Sequence, residues 1–145
     1  MRWIFAALLS AFAAVALAND IGQVKVTKGE VHVERDGARI QAAVGMPIRQ
    51  ADRLVTGADG TVGVTFADNS LLSVGPNSAL AVDRFSFDAS THEGKFDASL
   101  QKGTLAVISG KMVKQSPEAM KIRTPASILG VRGTEFVVKV ADPGT

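Results

Sequence analysis

The sequence predicts an all-β protein, a single domain of many short antiparallel strands arranged as a sandwich or a solenoid-like stack. Apolar and polar residues alternate with a period of two over most of the chain, as they do in strands that bury one face. Turn residues recur about every 8 to 12 positions, which is the spacing of all-β folds. Residues 112–120 form the one segment compatible with a helix, and Pro117 limits that helix to one or two turns.

The first two strands are predicted to form a hairpin. Residues 24–27 and 30–34 flank Lys28 and Gly29, and a two-residue turn at that dipeptide pairs the two segments in antiparallel register. That register places four valines on one face of the hairpin: Val24, Val26, Val31 and Val33.

The rest of the chain is predicted as a meander of short strands. They are expected at residues 38–40, 53–56, 61–66, 71–74, 79–82, 84–87, 95–100, 104–109 and 135–140. A turn at residues 101–103 separates two of them, and Gly45 and Pro47 make the apolar run around them an edge strand or a loop. Three phenylalanines are expected in the core rather than in an exposed recognition patch: Phe85, Phe87 and Phe96.

Residues 1–18 are predicted to be a cleavable export signal. Arg2 gives a positive start, residues 4–17 hold no charge, and residues 16–18, Ala-Leu-Ala, match a small-x-small cleavage site. The apolar run is shorter than the roughly 20 residues of a membrane-spanning helix, which disfavours an uncleaved anchor. No Cys follows the cleavage site, so a lipid anchor is not expected. The expected organisation is a signal followed by one all-β domain, residues 19–145, in the periplasm.

Composition argues against several classes of function. The chain has no Cys and no Tyr, and its one Trp, Trp3, lies in the predicted signal. Sites for sugars and bases use aromatic side chains as stacking platforms, and here only Phe remains to supply them. Positive and negative charges are interleaved, with a net charge of +2 for the full chain, so the dense basic footprint of a nucleic-acid protein is missing.

Several segments together resemble the FecR-domain family. They are Asp-Arg-Leu-Val-Thr at 52–56, a stretch with an Asp-Asn-Ser-Leu-Leu core at 61–82, Lys-Gly-Thr-Leu at 102–105, and Thr-Pro at 124–125 followed by Gly-Thr-Glu-Phe-Val at 133–137. The resemblance spans roughly residues 22–140. Each motif is short, and their order and spacing make the likeness specific.

The resemblance implies a periplasmic all-β domain. In the namesake regulators of ferric-siderophore uptake, this domain belongs to an inner-membrane protein and relays a signal from an outer-membrane receptor to a cytoplasmic sigma factor. This sequence shows no cytoplasmic segment before the export signal and no membrane helix after it. Direct control of a sigma factor is therefore not expected, and the fold and a periplasmic interaction role are.

The resemblance also singles out ten motif residues, to which we assign a structural role: Asp52, Thr56, Asp68, Ser70, Gly103, Thr124, Pro125, Gly133, Thr134 and Phe136. Asp52 is expected to accept backbone N–H bonds in a turn. Four residues of the last strand form a candidate interaction edge: Glu135, Val137, Val138 and Lys139.

No catalytic, metal or cofactor site is predicted. Glu30, His32 and Glu34 share one face of the predicted hairpin, but same-face neighbours on a strand lie about 7 Å apart, which is poor geometry for one ion unless a partner strand supplies a ligand. They are expected instead to form a solvated face with cross-strand pairs to Lys25 and Thr27. His32 and His92 are the two candidate bases, and no Cys or Gly-x-Ser-x-Gly nucleophile accompanies them.

These observations predict a non-enzymatic interaction or sensory module that binds another protein of the cell envelope. Neither a cofactor, a nucleic acid nor stable membrane insertion after signal removal is expected. The expected mechanism is strand pairing at residues 135–140, because no strand follows them to cover their edge. A carbohydrate- or peptidoglycan-binding module is the alternative, and it predicts retention on isolated cell wall. The sequence leaves the oligomeric state open.

Overall fold

A computed structural model describes residues 20–130 and 135–140 of the protein. Within these ranges the chain forms twelve strands and one short helix. The elements are β1 (Asp20–Lys28), β2 (Val31–Arg35), β3 (Ala38–Gln41), β4 (Pro47–Arg49), β5 (Arg53–Thr56), β6 (Thr61–Phe66), β7 (Leu71–Val74), β8 (Ala79–Phe87), β9 (Gly94–Ile108), α1 (Lys111–Gln115), β10 (Met120–Arg123), β11 (Ile128–Gly130) and β12 (Glu135–Val140).

The strands form a single curled sheet, a half-barrel, so the all-β prediction is confirmed. Its main path runs β3-β2-β5-β8-β9-β7-β6-β1-β4. Strands β10 and β12 join β9 outside this path, and β11 pairs with β10. All neighbours are antiparallel except β9 and β10, which run parallel.

Strand β9 belongs to both halves of the sheet. Its first part pairs with β8 and β10. Its last part, from Gly103 to Ile108, pairs with β12 on one side and, from Leu105 onward, with β7 on the other. Gly103 lies between the two parts with a φ of +91°, a backbone conformation that glycine adopts without steric cost. The turn predicted at residues 101–103 is therefore wrong. This glycine bends the strand and does not reverse it.

The two halves of the curled sheet bury one shared hydrophobic core. Strand β6 shows the pattern, because Val62, Val64 and Phe66 are buried while the residues between them are half-exposed. The rings of Phe66, Phe85 and Phe96 pack with centroids 4.7 to 5.5 Å apart. The predicted core position of Phe85 and Phe96 is confirmed. Phe87 is half-buried and stacks on His92.

The predicted β1–β2 hairpin is wrong. Strand β1 pairs with β4 and β6, whereas β2 pairs with β3 and β5. Gly29 makes a corner between the two halves, with a φ of +66° and its Cα against the backbone of Asp59. A register shift between Val24 and Val26 turns Val26 outward, where it is 59% exposed. His32 consequently lies between Gln41 and Val55 rather than opposite Lys25.

Most other predicted elements are confirmed. Strands β5, β6, β7 and β12 have the predicted bounds. The predicted strands 79–82 and 84–87 are a single strand, β8, with an irregularity after Val82. Helix α1 spans Lys111–Gln115 and ends before Pro117. Strand β11 was not predicted, and the edge position expected for the run around Pro47 is confirmed in β4.

Candidate interaction site

The first group of motif residues holds the turn between β7 and β8 against the bend in β9. The buried Thr56 hydroxyl donates to the Gly75 carbonyl (2.6 Å) and accepts from the Ser78 N–H (2.9 Å). The Ser78 hydroxyl in turn accepts from the Thr104 N–H (3.0 Å). Gly103 packs so closely on Ser78 that a side chain there would overlap it. Thr56 and Gly103 therefore act on opposite sides of one turn.

The second group links the β6–β7 turn to the end of β9. One carboxylate oxygen of Asp68 accepts from the Ser70 hydroxyl (2.7 Å) and the other from the Ser70 N–H (3.0 Å). The Ser70 oxygen accepts from the Gly110 N–H (3.0 Å), and the Asp68 carbonyl accepts from the Lys111 N–H (2.8 Å). Both side chains are fully buried. The network thus fixes the start of α1 on the sheet.

We expect Ser70→Ala to lower the free energy of unfolding by about 1–3 kcal/mol, because it leaves the Gly110 N–H and the Asp68 carboxylate short of a buried partner. Ser73→Ala is the matched control, since Ser73 is exposed on β7 and its change should stay within about 0.5 kcal/mol. Urea titrations of both variants measure the difference. Equal midpoints for the two variants would contradict the role given to Ser70.

Asp52 joins two ends of the curled sheet. It accepts, as predicted, a backbone N–H bond, from Arg49 (2.9 Å). It also accepts two bonds from the Arg35 guanidinium, from Nε (2.8 Å) and Nη2 (2.5 Å), and Arg35 Nη2 donates further to the Pro47 carbonyl (3.1 Å). The hydrogen bond with Asp52 raises the pKa of Arg35. No sequence pattern points to Arg35, on β2, because 17 residues separate it from Asp52.

The remaining motif residues lie near the chain end. Thr124 forms a tight turn between β10 and β11, in which its N–H donates to the Ser127 carbonyl (2.8 Å). Pro125 lies in the same turn. Phe136 is half-buried and packs against the core. Gly133 and Thr134 lie outside the described residues.

Strand β12, which contains the candidate edge, pairs with β9 along one side. Among residues 20–130 and 135–140 no second strand pairs with it. Glu135, Val137 and Lys139 are exposed on its outer face, with Val137 at 66%. Val138 points the other way and is buried in the core. The edge is therefore open in the described part of the protein.

An open cavity of about 380 Å³ adjoins this edge, and we call it the bend cavity. It is lined by residues 124–127, Leu129 and residues 138–140. Strands β10 and β12 follow the same edge of β9 on either side of Gly103, so the bend separates them and opens the space. On the opposite edge the β7–β8 turn fills the equivalent gap. The structure thus brings two predicted groups together, the Thr124-Pro125 motif and the β12 edge.

One basic residue, Lys139, lines the bend cavity, and two more lie on the strands beside it. Lys102, Arg123 and Lys139 lie on β9, β10 and β12 at or near the bend, and none has an acidic partner among the residues that the structure describes. The lining itself is mostly apolar and contains no aromatic ring. This arrangement offers a surface for binding.

The described residues contain no group of three or more His, Cys, Asp or Glu side chains placed to hold a metal ion. His32 is buried beside Glu34, with 3.8 Å between Nε2 and Oε1. The solvated position expected for His32 is therefore wrong, because only 9% of the residue is exposed.

Comparison with known proteins places this fold in a family. Residues 52–145 match the family model described as FecR protein. The chain belongs to the FecR family. FecR proteins are a regulatory and signalling family, and their domains are associated with the cell envelope. In the described part of this FecR protein, no helix has the length and apolar character needed to cross a membrane.

The curated proteins contain no match to the chain. A solved structure described as a cell surface anchoring domain is similar at 29% identity, with 42% of this chain and 82% of that chain covered and a TM-score of 0.41.

Proposed function

We propose that this FecR protein is a non-catalytic module of the cell envelope that binds another envelope protein. The export signal predicted at residues 1–18 would deliver it to the periplasm and leave one domain, residues 19–145. Membership of a regulatory family associated with the envelope supports this role. The interaction, rather than any chemistry on a substrate, is then its activity.

The binding element is the edge of β12, to which the partner adds a strand. The observation that carries this proposal is the one-sided pairing of β12, whose outer residues are exposed. An unpaired edge presents a row of N–H and C=O groups, which is a template for strand addition. The bend cavity beside Val138 and Val140 then receives side chains of the added strand.

The other motif residues support the edge without forming it. Thr56 and Gly103 fix the bend in β9, and β12 pairs with β9 from that bend onward. Binding should therefore depend directly on β12 and indirectly on the bend.

Two neighbouring proline substitutions test the proposal. Along a paired strand successive N–H groups alternate between its two sides, so either Val137 or Val138 donates to β9 and the other points to the open edge. Of Val137→Pro and Val138→Pro, the variant with the higher melting temperature has lost an open-edge N–H, because the other loses a bond to β9. We expect that variant to capture the partner from crosslinked envelope extract at least about fivefold less than wild type.

Strand β3 supplies the control, because in the described residues it too pairs on one side. Of Arg39→Pro and Ile40→Pro, the variant with wild-type stability should capture the partner fully. Unchanged capture by the stable β12 variant would overturn strand addition. Retention of the wild type on isolated cell wall, with no protein captured, would instead support a carbohydrate- or peptidoglycan-binding module.

A further inference from the structure

The sequence of β12 is complementary to itself. Its outer face carries Glu135 at one end, Val137 in the middle and Lys139 at the other end. When two antiparallel strands are centred on the same residue, each position faces the one equally far on the other side of the centre. Centred on Val137, two copies of β12 therefore place each Glu135 opposite a Lys139.

We propose that two copies of this protein pair through β12, with a two-fold axis at Val137. Every opposed pair in this register is favourable, because the two outer ends join a carboxylate to an ammonium group and the centre joins two valines. On the inner face Phe136 stands opposite Val138, so apolar side chains meet there as well. Because the two-fold axis passes through Val137, both copies use the same residues of β12, which is the self-complementary patch that a two-fold dimer needs.

In each copy the outer residues of β12 are exposed and, among the described residues, unpaired in charge, so they are available to a second copy. Glu135 and Lys139 are exposed and make no ion pair with any other described residue. Val137 is 66% exposed, and Ile108 on the neighbouring strand is 45% exposed. Pairing covers part of this apolar surface. It also closes a strand edge that would otherwise be open to unspecific association.

This dimer rests on the proposed function in one respect, since both use the β12 edge. A second copy on that edge excludes a partner's strand, so self-pairing competes with partner binding. Protein concentration and partner concentration together then set how much edge is free.

Charge exchange provides the test, read by sedimentation velocity on protein recovered from cells that express the full chain. Glu135→Lys puts two lysines on the outer face of each β12, and Lys139→Glu puts two carboxylates there. Each variant alone should self-associate about 10- to 100-fold more weakly than wild type, because both attractive pairs become repulsive. Mixed in equal amounts, the two variants should form a heterodimer, and the double variant Glu135→Lys with Lys139→Glu should regain self-association.

Both positions are exposed, so the variants should keep the wild-type melting temperature, which thermal unfolding checks. A monomeric wild type at concentrations up to about 500 μM in low salt would overturn the proposal. Wild-type association by the single variants, or a mixture that stays monomeric, would overturn it equally. These measurements use the protein alone, so they fail independently of the proposed function, whose failure appears as unchanged capture by the stable proline variant.

Discussion

Gly103→Ala is expected to lower the free energy of unfolding by about 4 kcal/mol or more, and to reduce partner binding with it. Gly103 has a φ of +91°, and a Cβ atom there would lie 2.6 Å from Cα of Ser78 and 2.5 Å from its Cβ. Real Cβ atoms do not approach backbone so closely. Either the β7–β8 turn moves away from β9, or β9 straightens at residue 103. Both changes pull apart strands that pack in the same hydrophobic core.

Gly37→Ala separates the two causes of the loss at Gly103, which are backbone strain at a positive φ and overlap of the added Cβ with Ser78. Gly37 has a φ of +76°, but nothing lies within 4 Å of the position of an added Cβ. Its substitution should therefore cost the backbone strain alone, about 1–2 kcal/mol. Urea unfolding of both variants measures the difference. A loss at Gly103 no larger than that at Gly37 would show that the contact with Ser78 does not hold the bend.

The sequence predicted strands better than it predicted their partners. Strands β6 and β7 have the predicted bounds, because clear turn residues stand on both sides of each strand. The β1–β2 pairing failed for a physical reason. Period-two alternation tells which side chains share a face, but any strand with a buried face satisfies it equally well. The Lys28-Gly29 pair fits a two-residue hairpin turn, and only the packing of Gly29 against Asp59 reveals a corner.

The long strand β9 shows a second limit. A Gly preceded by polar residues usually ends a strand, so residues 101–103 resembled a turn. The distinction between a bend and a reversal lies in contacts with Ser78, which is distant in sequence. The bend cavity depends on that bend, and so no local pattern could have predicted it.

The candidate site was predicted in part. The sequence predicted β12 with its correct bounds and named it a candidate edge, and the family motif singled out Asp52 and Asp68 without their partners. Arg35 has no local signal that ties it to Asp52, because an exposed arginine at the end of a strand looks the same in sequence. A single buried carboxylate at the start of a strand is nevertheless a reason to search for a cation nearby.

Asp52→Ala is expected to lower the free energy of unfolding by about 3–5 kcal/mol, because it leaves a largely buried guanidinium without its counter-charge. The Asp52 side chain is 1% exposed and that of Arg35 is 17% exposed, so little water can replace the lost bonds. The pair also bonds to Pro47 and Arg49 on β4, which ends the main sheet path opposite β2 and β3. Its loss therefore frees both ends of the half-barrel.

A double-mutant cycle with Arg35→Met isolates the pair, since Met keeps much of the apolar stem. We expect a coupling energy of about 2–3 kcal/mol from urea unfolding, with the double variant more stable than the sum of single losses implies. The hydrogen bond with Asp52 raises the pKa of Arg35. The contribution of this pair to the free energy of unfolding is therefore fully present below the ordinary arginine pKa and is lost only at still higher pH. The effect of Arg35→Met should thus come from the lost pair and not from titration of the guanidinium between about pH 5 and 9. Additive losses would mean that Asp52 stabilises the fold through its bond to the Arg49 N–H alone, and that the two ends of the sheet are held by the core.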